Sequence, residues 1–100
     1  MRVISSSTLR EFWQTHTDAE QALRAWYAEV AAAIWTQPSE IKASYRTASL
    51  LGNRRVVFNI KGNRYRLVAA IHYEHQIVYV KFVGTHSQYD QIDAGSVDLK

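Results

Sequence analysis

Residues 85–90, with the sequence THSQYD, bring together three side chains that can take part in acid–base chemistry: His86, Tyr89 and Asp90. If the segment forms a helical turn, their three- and four-residue spacing puts them on one side of it. Histidine suits proton transfer near neutral pH, and a carboxylate such as Asp90 can orient its ring. The alternative is a capped turn that carries a solvent-exposed histidine.

A second group of candidate residues consists of cations on a predicted strand. Arg66 is predicted in mid-strand opposite Asn59, close to Lys61 and Arg64, and Lys81 adds a cation to the same face. The planar guanidinium of arginine matches the geometry of a phosphate. The alternative is an exposed arginine paired with a surface acid. The predicted sheet supplies no acid for Arg66, which favours a phosphate ligand.

The two groups together meet the requirements of a ribonuclease that works without a metal. Such an enzyme needs a base for the RNA 2′-hydroxyl, an acid for the leaving 5′-oxygen, and cations for the charge on phosphorus. The sequence contains no HExxH motif, no glycine-rich phosphate loop and no carboxylate cluster for two metals. Its four histidines lack the spacing of metal ligands. We therefore expect neither a metal nor a cofactor.

Three predicted strands must position these side chains. They cover residues 55–61, 64–73 and 76–83, and two-residue turns at 62–63 and 74–75 join them in an antiparallel meander. An even-length second turn is expected, since an odd one would point Lys81 into the core.

Alternation along these strands divides their side chains between two faces. The first face is a predicted core wall, and it carries Val56, Phe58, Ile60, Tyr65, Leu67, Ala69, Ile71, Tyr73, Val78, Val80 and Phe82. The second face collects most of the cations, and it carries Val57, Asn59, Lys61, Arg64, Arg66, Val68, Ala70, His72, Ile77, Tyr79, Lys81 and Val83. The expected pairs on the second face are Lys61 with Arg64, Asn59 with Arg66, Val68 with Lys81, and His72 with Ile77.

Two helices are predicted before the meander. Thr8 with Glu11 has the spacing of a capping box that opens a helix to about residue 15, and Thr17 with Glu20 repeats it. Apolar residues at three- and four-residue steps carry the second helix to about residue 35, and Pro38 stops it. The sequence therefore predicts an α+β fold, with two N-terminal helices packed on a small antiparallel sheet.

The remaining segments carry weaker signals. Residues 2–5 are β-prone and can add a strand, and residues 39–42 can form a helical turn within a connector. The tail after Asp90 has little apolar material, so we expect it to be loose. The length of 100 residues is that of one domain, predicted to cover residues 1–100.

Charge is distributed unevenly along the chain. Residues 1–40 hold three basic and five acidic residues, whereas residues 41–81 hold eight basic residues and one acid. This asymmetry favours a polyanionic partner, with a solvated basic face as the alternative. The absence of cysteine is compatible with the cytoplasm, where we place the protein. No stretch approaches the roughly 20 apolar residues that span a bilayer, so no membrane association is expected.

The stretches VVFNIKGNRYRLVAAIHY and IVYVKFVGTHSQYD resemble those of the HigB-type toxins of type II toxin–antitoxin systems, within the RelE/ParE superfamily. The resemblance implies a RelE-like fold, cleavage of mRNA on the translating ribosome, and a cognate antitoxin, expected to be a HigA-type helix-turn-helix protein. It also implies that Arg66 matches the arginine after the turn tyrosine, that His86 stands at a second basic position, and that Tyr89 matches a C-terminal tyrosine. Where relatives carry lysines on the preceding strand, this chain offers Asn59 and Lys61.

Two functions follow as hypotheses. The first is an mRNA endoribonuclease toxin, with Arg66, His86, Tyr89 and Asp90 as catalytic residues and Asn59, Lys61, Arg64 and Lys81 as RNA-binding residues. The second is a non-catalytic module of the same fold that binds nucleic acid or an enzyme such as gyrase, because ParE-like gyrase inhibitors share the fold. Phosphate-binding cations beside a proton-transfer residue favour the first.

Overall fold

The protein is built from four helices and five strands, which a computed structural model describes over residues 1–99. The strands are β1 (Arg2–Ile4), β2 (Ser49–Leu50), β3 (Arg55–Ile60), β4 (Tyr65–His72) and β5 (Ile77–Thr85). The helices are α1 (Ser6–Thr15), α2 (Glu20–Ala32), α3 (Pro38–Ser44) and α4 (His86–Tyr89), with a 3₁₀ turn at Thr17–Ala19. The strands form one sheet in the order β1-β5-β4-β3-β2.

One face of this sheet packs against the helices. Leu9 of α1 and Leu23, Trp26 and Val30 of α2 are buried in one cluster with the apolar side chains of β3, β4 and β5. The α+β class, with helices preceding the meander, is therefore confirmed. The sheet is mixed rather than wholly antiparallel, because β1 runs parallel to β5 while the other pairs are antiparallel.

The register of the meander agrees with the sequence prediction at two positions and departs from it at a β-bulge. Asn59 lies opposite Arg66 and His72 lies opposite Ile77, as predicted. Val68 lies opposite Phe82 and Ala69 lies opposite Val80, so Lys81 is an extra residue without a partner in β4. The predicted pair of Val68 with Lys81 is therefore wrong.

The bulge also exchanges the faces of the residues that follow it, since one extra residue reverses the alternation. Val83 packs against the core, although it was predicted on the cationic face. Phe82, which was predicted in the core wall, lies outside that cluster and meets the ring of Tyr89 instead. In β5, Val78 and Val80 before the bulge keep their predicted place in the core wall.

Both hairpin turns are longer than predicted. Ile60 pairs with Tyr65 and His72 pairs with Ile77, so each loop contains four residues rather than two. The second loop is of even length, as expected. In the first loop the left-handed residues are Lys61, with φ 53°, and Gly62, with φ 64°. Gly62 adopts this conformation without the steric penalty that a side chain would bring.

The helix boundaries differ from the capping signals in the sequence. Helix α1 begins at Ser6, two residues before Thr8, and neither α1 nor α2 has a side-chain cap. Helix α2 ends at Ala32, and the predicted stripe residue Ile34 is 78% exposed. Trp35 is nonetheless buried in the core beyond the helix end. Tertiary packing, rather than the local caps, sets these boundaries.

The tail after Asp90, residues 91–100, was predicted to be loose, and this prediction is wrong for residues 91–99, while Lys100 lies outside the described residues. The C-terminal segment is defined here as residues 90–99. Arg55 donates to the carbonyl oxygens of Ala94 and Val97, and Lys81 pairs with Asp98. Val57 and Val68 face away from the helices and are still buried. We attribute their burial to this segment, which crosses the outer face, defined as the sheet face opposite the helices.

Candidate active site at the end of β5

The short helix α4 is placed by signals that lie directly before it. Thr85 is its N-cap: the Thr85 hydroxyl accepts from the Gln88 amide at 3.1 Å, and the Gln88 side chain accepts from the Thr85 amide at 2.9 Å. This reciprocal capping box satisfies two backbone donors at the helix start. At Gly84, a Cβ atom would lie 2.6 Å from the Phe82 ring and 2.8 Å from the Gln88 amide oxygen. Glycine therefore lets the strand turn tightly into the helix.

The structure brings His86 and Asp90 together, as their spacing predicts. The Nδ1 atom of His86 lies 3.2 Å from a carboxylate oxygen of Asp90, and both side chains are about half exposed. A carboxylate at Nδ1 orients the imidazole and leaves Nε2 available for proton transfer. The pair therefore has the arrangement of a solvent-accessible acid–base residue.

Arg66 lies on the outer face beside this helix. It is opposite Gly84 in the sheet, and its guanidinium carbon lies 5.7 Å from the centre of the Tyr89 ring. Among the described residues, its one side-chain hydrogen bond goes to the backbone oxygen of Asn63 at 3.1 Å. Within residues 1–99, no carboxylate comes within 4.0 Å of Arg66. Its charge is therefore available to an anionic ligand.

Tyr89 connects Arg66 to the aromatic side chain that the bulge redirects. The centres of the Tyr89 and Phe82 rings lie 6.4 Å apart, with the ring planes at 53°. The Arg66 guanidinium also contacts the Tyr89 ring. Cations within about 6 Å of an aromatic centre are attracted to it. The ring thus holds the guanidinium close to the His86 helix without neutralising it.

Two of the predicted RNA-binding cations lie elsewhere. Asp18, in the 3₁₀ turn, lies 2.7 Å from Arg64 and 3.6 Å from Lys61, and it also accepts from the Tyr65 hydroxyl. The hydrogen bond from Tyr65, followed by the hydrogen bond from Arg64 and the charges of Lys61 and Arg64, lowers the pKa of Asp18 below its ordinary value. These three contacts form the Asp18 cluster, which links the helical side to the first hairpin.

The other two predicted RNA-binding residues flank the outer face. Lys81, the bulge residue, lies 3.1 Å from Asp98 and 5.5 Å from the Tyr79 ring. The hydrogen bond from Lys81 lowers the pKa of Asp98. Asn59 is adjacent to Arg66 across the strands, and its amide reaches the Thr47 oxygen at 3.5 Å. Of these two, Asn59 is the nearer to the candidate site.

Several residues that shape the site were missed at the sequence level. Thr85 and Gln88 have the S/T-x-x-Q spacing of a capping box, so this signal was readable. Asp18 carried none, because it stands 46 residues from Arg64 in the chain. The roles of Asp98 and Phe82 depend on the C-terminal segment and on the bulge.

Neither a metal cluster nor a membrane span is found in the part of the chain that the structure describes. Residues 1–99 contain no group of three or more histidine, cysteine, aspartate or glutamate side chains arranged to hold a metal ion. None of the helices described is both long and apolar enough to cross a bilayer.

Comparison with known proteins identifies the family. Residues 19–92 match the HigB toxin family, described as the RelE-like toxic component of a toxin–antitoxin system. The chain belongs to this family, which confirms the resemblance seen in the sequence. The matched residues include α2, the whole meander and α4.

Curated relatives align with this chain over most of their own length. The mRNA interferase toxin HigB of Escherichia coli strain K12 is 27% identical over 92 residues, covering 90% of this chain and 88% of its own. The mRNA interferase HigB of Shigella flexneri matches with the same values. The mRNA interferase HigB of Escherichia coli O6:H1 is 22% identical over 94 residues, covering 92% of this chain and 91% of its own.

Proposed function

We propose that this toxin is an mRNA endoribonuclease that cuts translated mRNA on the ribosome. The observation that carries the proposal is one arrangement: Arg66, which has no carboxylate partner among residues 1–99, contacts Tyr89 of the short helix that also carries the His86–Asp90 pair. A phosphate-binding cation and a proton-transfer residue are the two parts that this reaction needs. The names of the curated relatives, mRNA interferases, support the same activity.

In the proposed reaction the 2′-oxygen of the RNA attacks the adjacent phosphorus. A bond forms between the 2′-oxygen and phosphorus, and the bond from phosphorus to the 5′-oxygen breaks. The products are a 2′,3′-cyclic phosphate and a 5′-hydroxyl. His86, oriented by Asp90, takes the proton of the 2′-hydroxyl and returns it to the leaving 5′-oxygen, and Arg66 stabilises the negative charge that grows on the phosphoryl oxygens.

The remaining polar residues support binding of the polyanion. Asn59 lies beside Arg66, and Lys61, Arg64 and Lys81 extend positive charge from the first hairpin to the middle of β5. Each of the three cations is paired with a carboxylate that a phosphate can replace at the exposed surface. We assign to these cations a contribution to RNA affinity that does not depend on the RNA sequence. We also propose that the protein acts in the cytoplasm.

A toxin of this family has an antitoxin partner, and we propose a HigA-type helix-turn-helix protein encoded next to it. Co-expression with the neighbouring gene should restore growth, and the two products should co-purify. Growth of cells that express the active wild-type chain alone, at the normal rate, would contradict the toxin assignment.

The deciding experiment is a brief induction followed by primer extension on cellular transcripts. Wild type should stop translation and produce new 5′ ends within translated regions, and the upstream fragments should carry 2′,3′-cyclic phosphates. Tyr89→Phe, which keeps the ring beside Arg66, reports whether the hydroxyl takes part. Inhibition of growth without new 5′ ends would instead indicate a non-catalytic inhibitor.

A further inference from the structure

Arg55 is the one charged residue that is buried among residues 1–99, with 8% of its surface exposed. It is the first residue of β3, lies opposite Ala70, and points to the outer face of the sheet. A buried cation is strongly destabilising unless its donors are satisfied. The partners of Arg55 therefore indicate what the residue is for.

Those partners are backbone oxygens rather than carboxylates. The guanidinium donates to the carbonyl oxygen of Val97 at 2.5 Å and to that of Ala94 at 3.2 Å. Within residues 1–99, no carboxylate oxygen lies within 4.0 Å of it. Arg55 thus binds the backbone of the C-terminal segment and not one particular side chain.

The C-terminal segment is folded so that it presents these carbonyls. The Asp93 oxygen accepts from the amides of Ser96 at 3.1 Å and Val97 at 2.8 Å, and the Asp93 carboxylate accepts from Gly95 at 2.9 Å. This closed turn fixes the orientation of the peptide units between Ala94 and Val97. It forms a preorganised receptor for the arginine.

The segment continues directly from the candidate active site. The Gln91 amide donates to Gln88 at 3.1 Å, and the Ile92 amide donates to Tyr89 at 3.2 Å. A groove is lined by Tyr89 and residues 92–95 together with residues 51–53. Because Arg55 fixes the far end of the segment, it also restricts where the Tyr89 ring can lie.

We propose that Arg55 is a positioning residue for the candidate active site, acting through the turn at residues 93–97. By holding this turn on the outer face, Arg55 keeps the end of α4 in place and the Tyr89 ring against Arg66. The proposal rests on the proposed ribonuclease function. It adds a residue that touches neither the RNA nor the reacting atoms.

The test compares Arg55→Met with a control at the neighbouring position, Arg54→Met. Methionine keeps the apolar stem and removes the donors, and Arg54 is exposed, so its replacement leaves the turn intact. Hydrogen exchange should be at least about tenfold faster at the Ser96 and Val97 amides of Arg55→Met, with β4 amides still protected. Both amides should exchange at the wild-type rate in Arg54→Met.

Cleavage of mRNA on purified ribosomes supplies the second measurement. Arg55→Met should lower kcat by roughly ten- to a hundredfold, because misplacing a catalytic group by about 1 Å can cost 10²-fold. KM for the ribosome should change much less, because Lys61 and Arg64 pair with Asp18 and do not depend on the turn. Arg55→Lys, which retains a donor, should restore part of both the exchange protection and kcat.

Three results would overturn the proposal. Unchanged exchange at Ser96 and Val97 in Arg55→Met shows that Arg55 does not hold the turn. Faster exchange with wild-type kcat shows that the turn does not position the site. Loss of hydrogen-exchange protection in β4 in both Arg55 variants shows that Arg55 is needed for folding and not for positioning. Absence of cleavage by wild type counts against the ribonuclease function, while the exchange measurement still tests the anchoring.

Discussion

Arg64 and Arg66 stand two residues apart in the chain and meet opposite surroundings. Arg64 belongs to the first hairpin loop and lies 2.7 Å from the Asp18 carboxylate, in the Asp18 cluster. Arg66 belongs to β4 and contacts a backbone oxygen and an aromatic ring. One guanidinium is neutralised by the helical side of the protein, and the other keeps its charge available on the outer face.

The difference shows that a run of cations in a sequence does not define a binding surface. Strict alternation would place both arginines on one face, but the four-residue loop removes Arg64 from the strand. Its long side chain then reaches an acid from a distant turn. The position of each cation relative to a loop or a strand decides whether it meets an acid of the protein that a ligand would first have to displace.

The largest expected effect separates the two arginines by activity. Arg66→Ala should lower mRNA cleavage by about a hundred- to a thousandfold, the loss typical of a missing transition-state donor. Arg64→Ala should lower it far less, because that side chain is engaged with Asp18. Cleavage rates on purified ribosomes check both variants, and thermal midpoints check folding. Equal losses in the two variants would remove the distinction between them.

A comparable or smaller loss is expected at the proton-transfer residue. His86→Ala should reduce the rate by about a hundredfold, the lower end of the 10²–10⁴-fold range for positioned acid–base catalysis. Asp90→Asn keeps the hydrogen-bonding shape beside Nδ1 and should cost less than His86→Ala. Single-turnover rates would measure both. Wild-type activity in both Arg66→Ala and His86→Ala means that the catalytic site lies elsewhere.

A smaller effect concerns binding alone. Ribosome affinity should fall with salt with a log–log slope of roughly −0.7 to −0.9 for each phosphate contact. Lys61→Glu should weaken binding and make the slope shallower by about one contact, without unfolding the protein. Equilibrium binding at several salt concentrations gives the slope. Binding that is insensitive to salt would point to an apolar protein partner.

The smallest expected effect is on stability and depends on pH. The pKa of Asp18 is lowered in the folded protein, chiefly by Tyr65 and then by Arg64 and Lys61, from an ordinary value of 3.8. A lowered pKa stabilises the fold above the unfolded-state value, and this contribution is lost as pH falls through the folded-state value. Urea midpoints of wild type should exceed those of Asp18→Asn at pH 7. The gap should narrow as the pH falls below the ordinary value of 3.8 and through the lower folded-state pKa of Asp18, and a constant gap would contradict this origin.

Local periodicity was enough to predict the meander. Alternation along β3 and β4 and the Gly62 signal gave the register at Asn59 and Arg66. The bulge at Lys81 could not be predicted, since the sequence reads as an uninterrupted strand through it. The packing of the C-terminal segment was missed for a related reason: its anchor is a buried arginine 42 residues away from Val97, which binds carbonyls present in any sequence.

The candidate site divides in the same way. His86 and Asp90 were predicted to meet because a four-residue spacing is sufficient within one helical turn, and the structure places them 3.2 Å apart. The proximity of Arg66 to Tyr89 depends on the sheet register and on the direction of α4. The role of Asp18 could not be predicted, because a single acid in a turn gives no sequence signal of the residues that it will bind. The roles of all these residues in RNA cleavage remain predictions.

The parallel pairing of β1 with β5 has a consequence for the synthesis of this toxin. Arg2 lies beside Ile77 and Ile4 lies beside Tyr79, so β1 can join the sheet only after β5, the last of the five strands to be synthesised, has been made. Contacts between such distant parts of a chain form late in folding. His86 and Tyr89 also leave the ribosome after β5. The candidate site is therefore assembled only after β5 has been made and has joined the sheet.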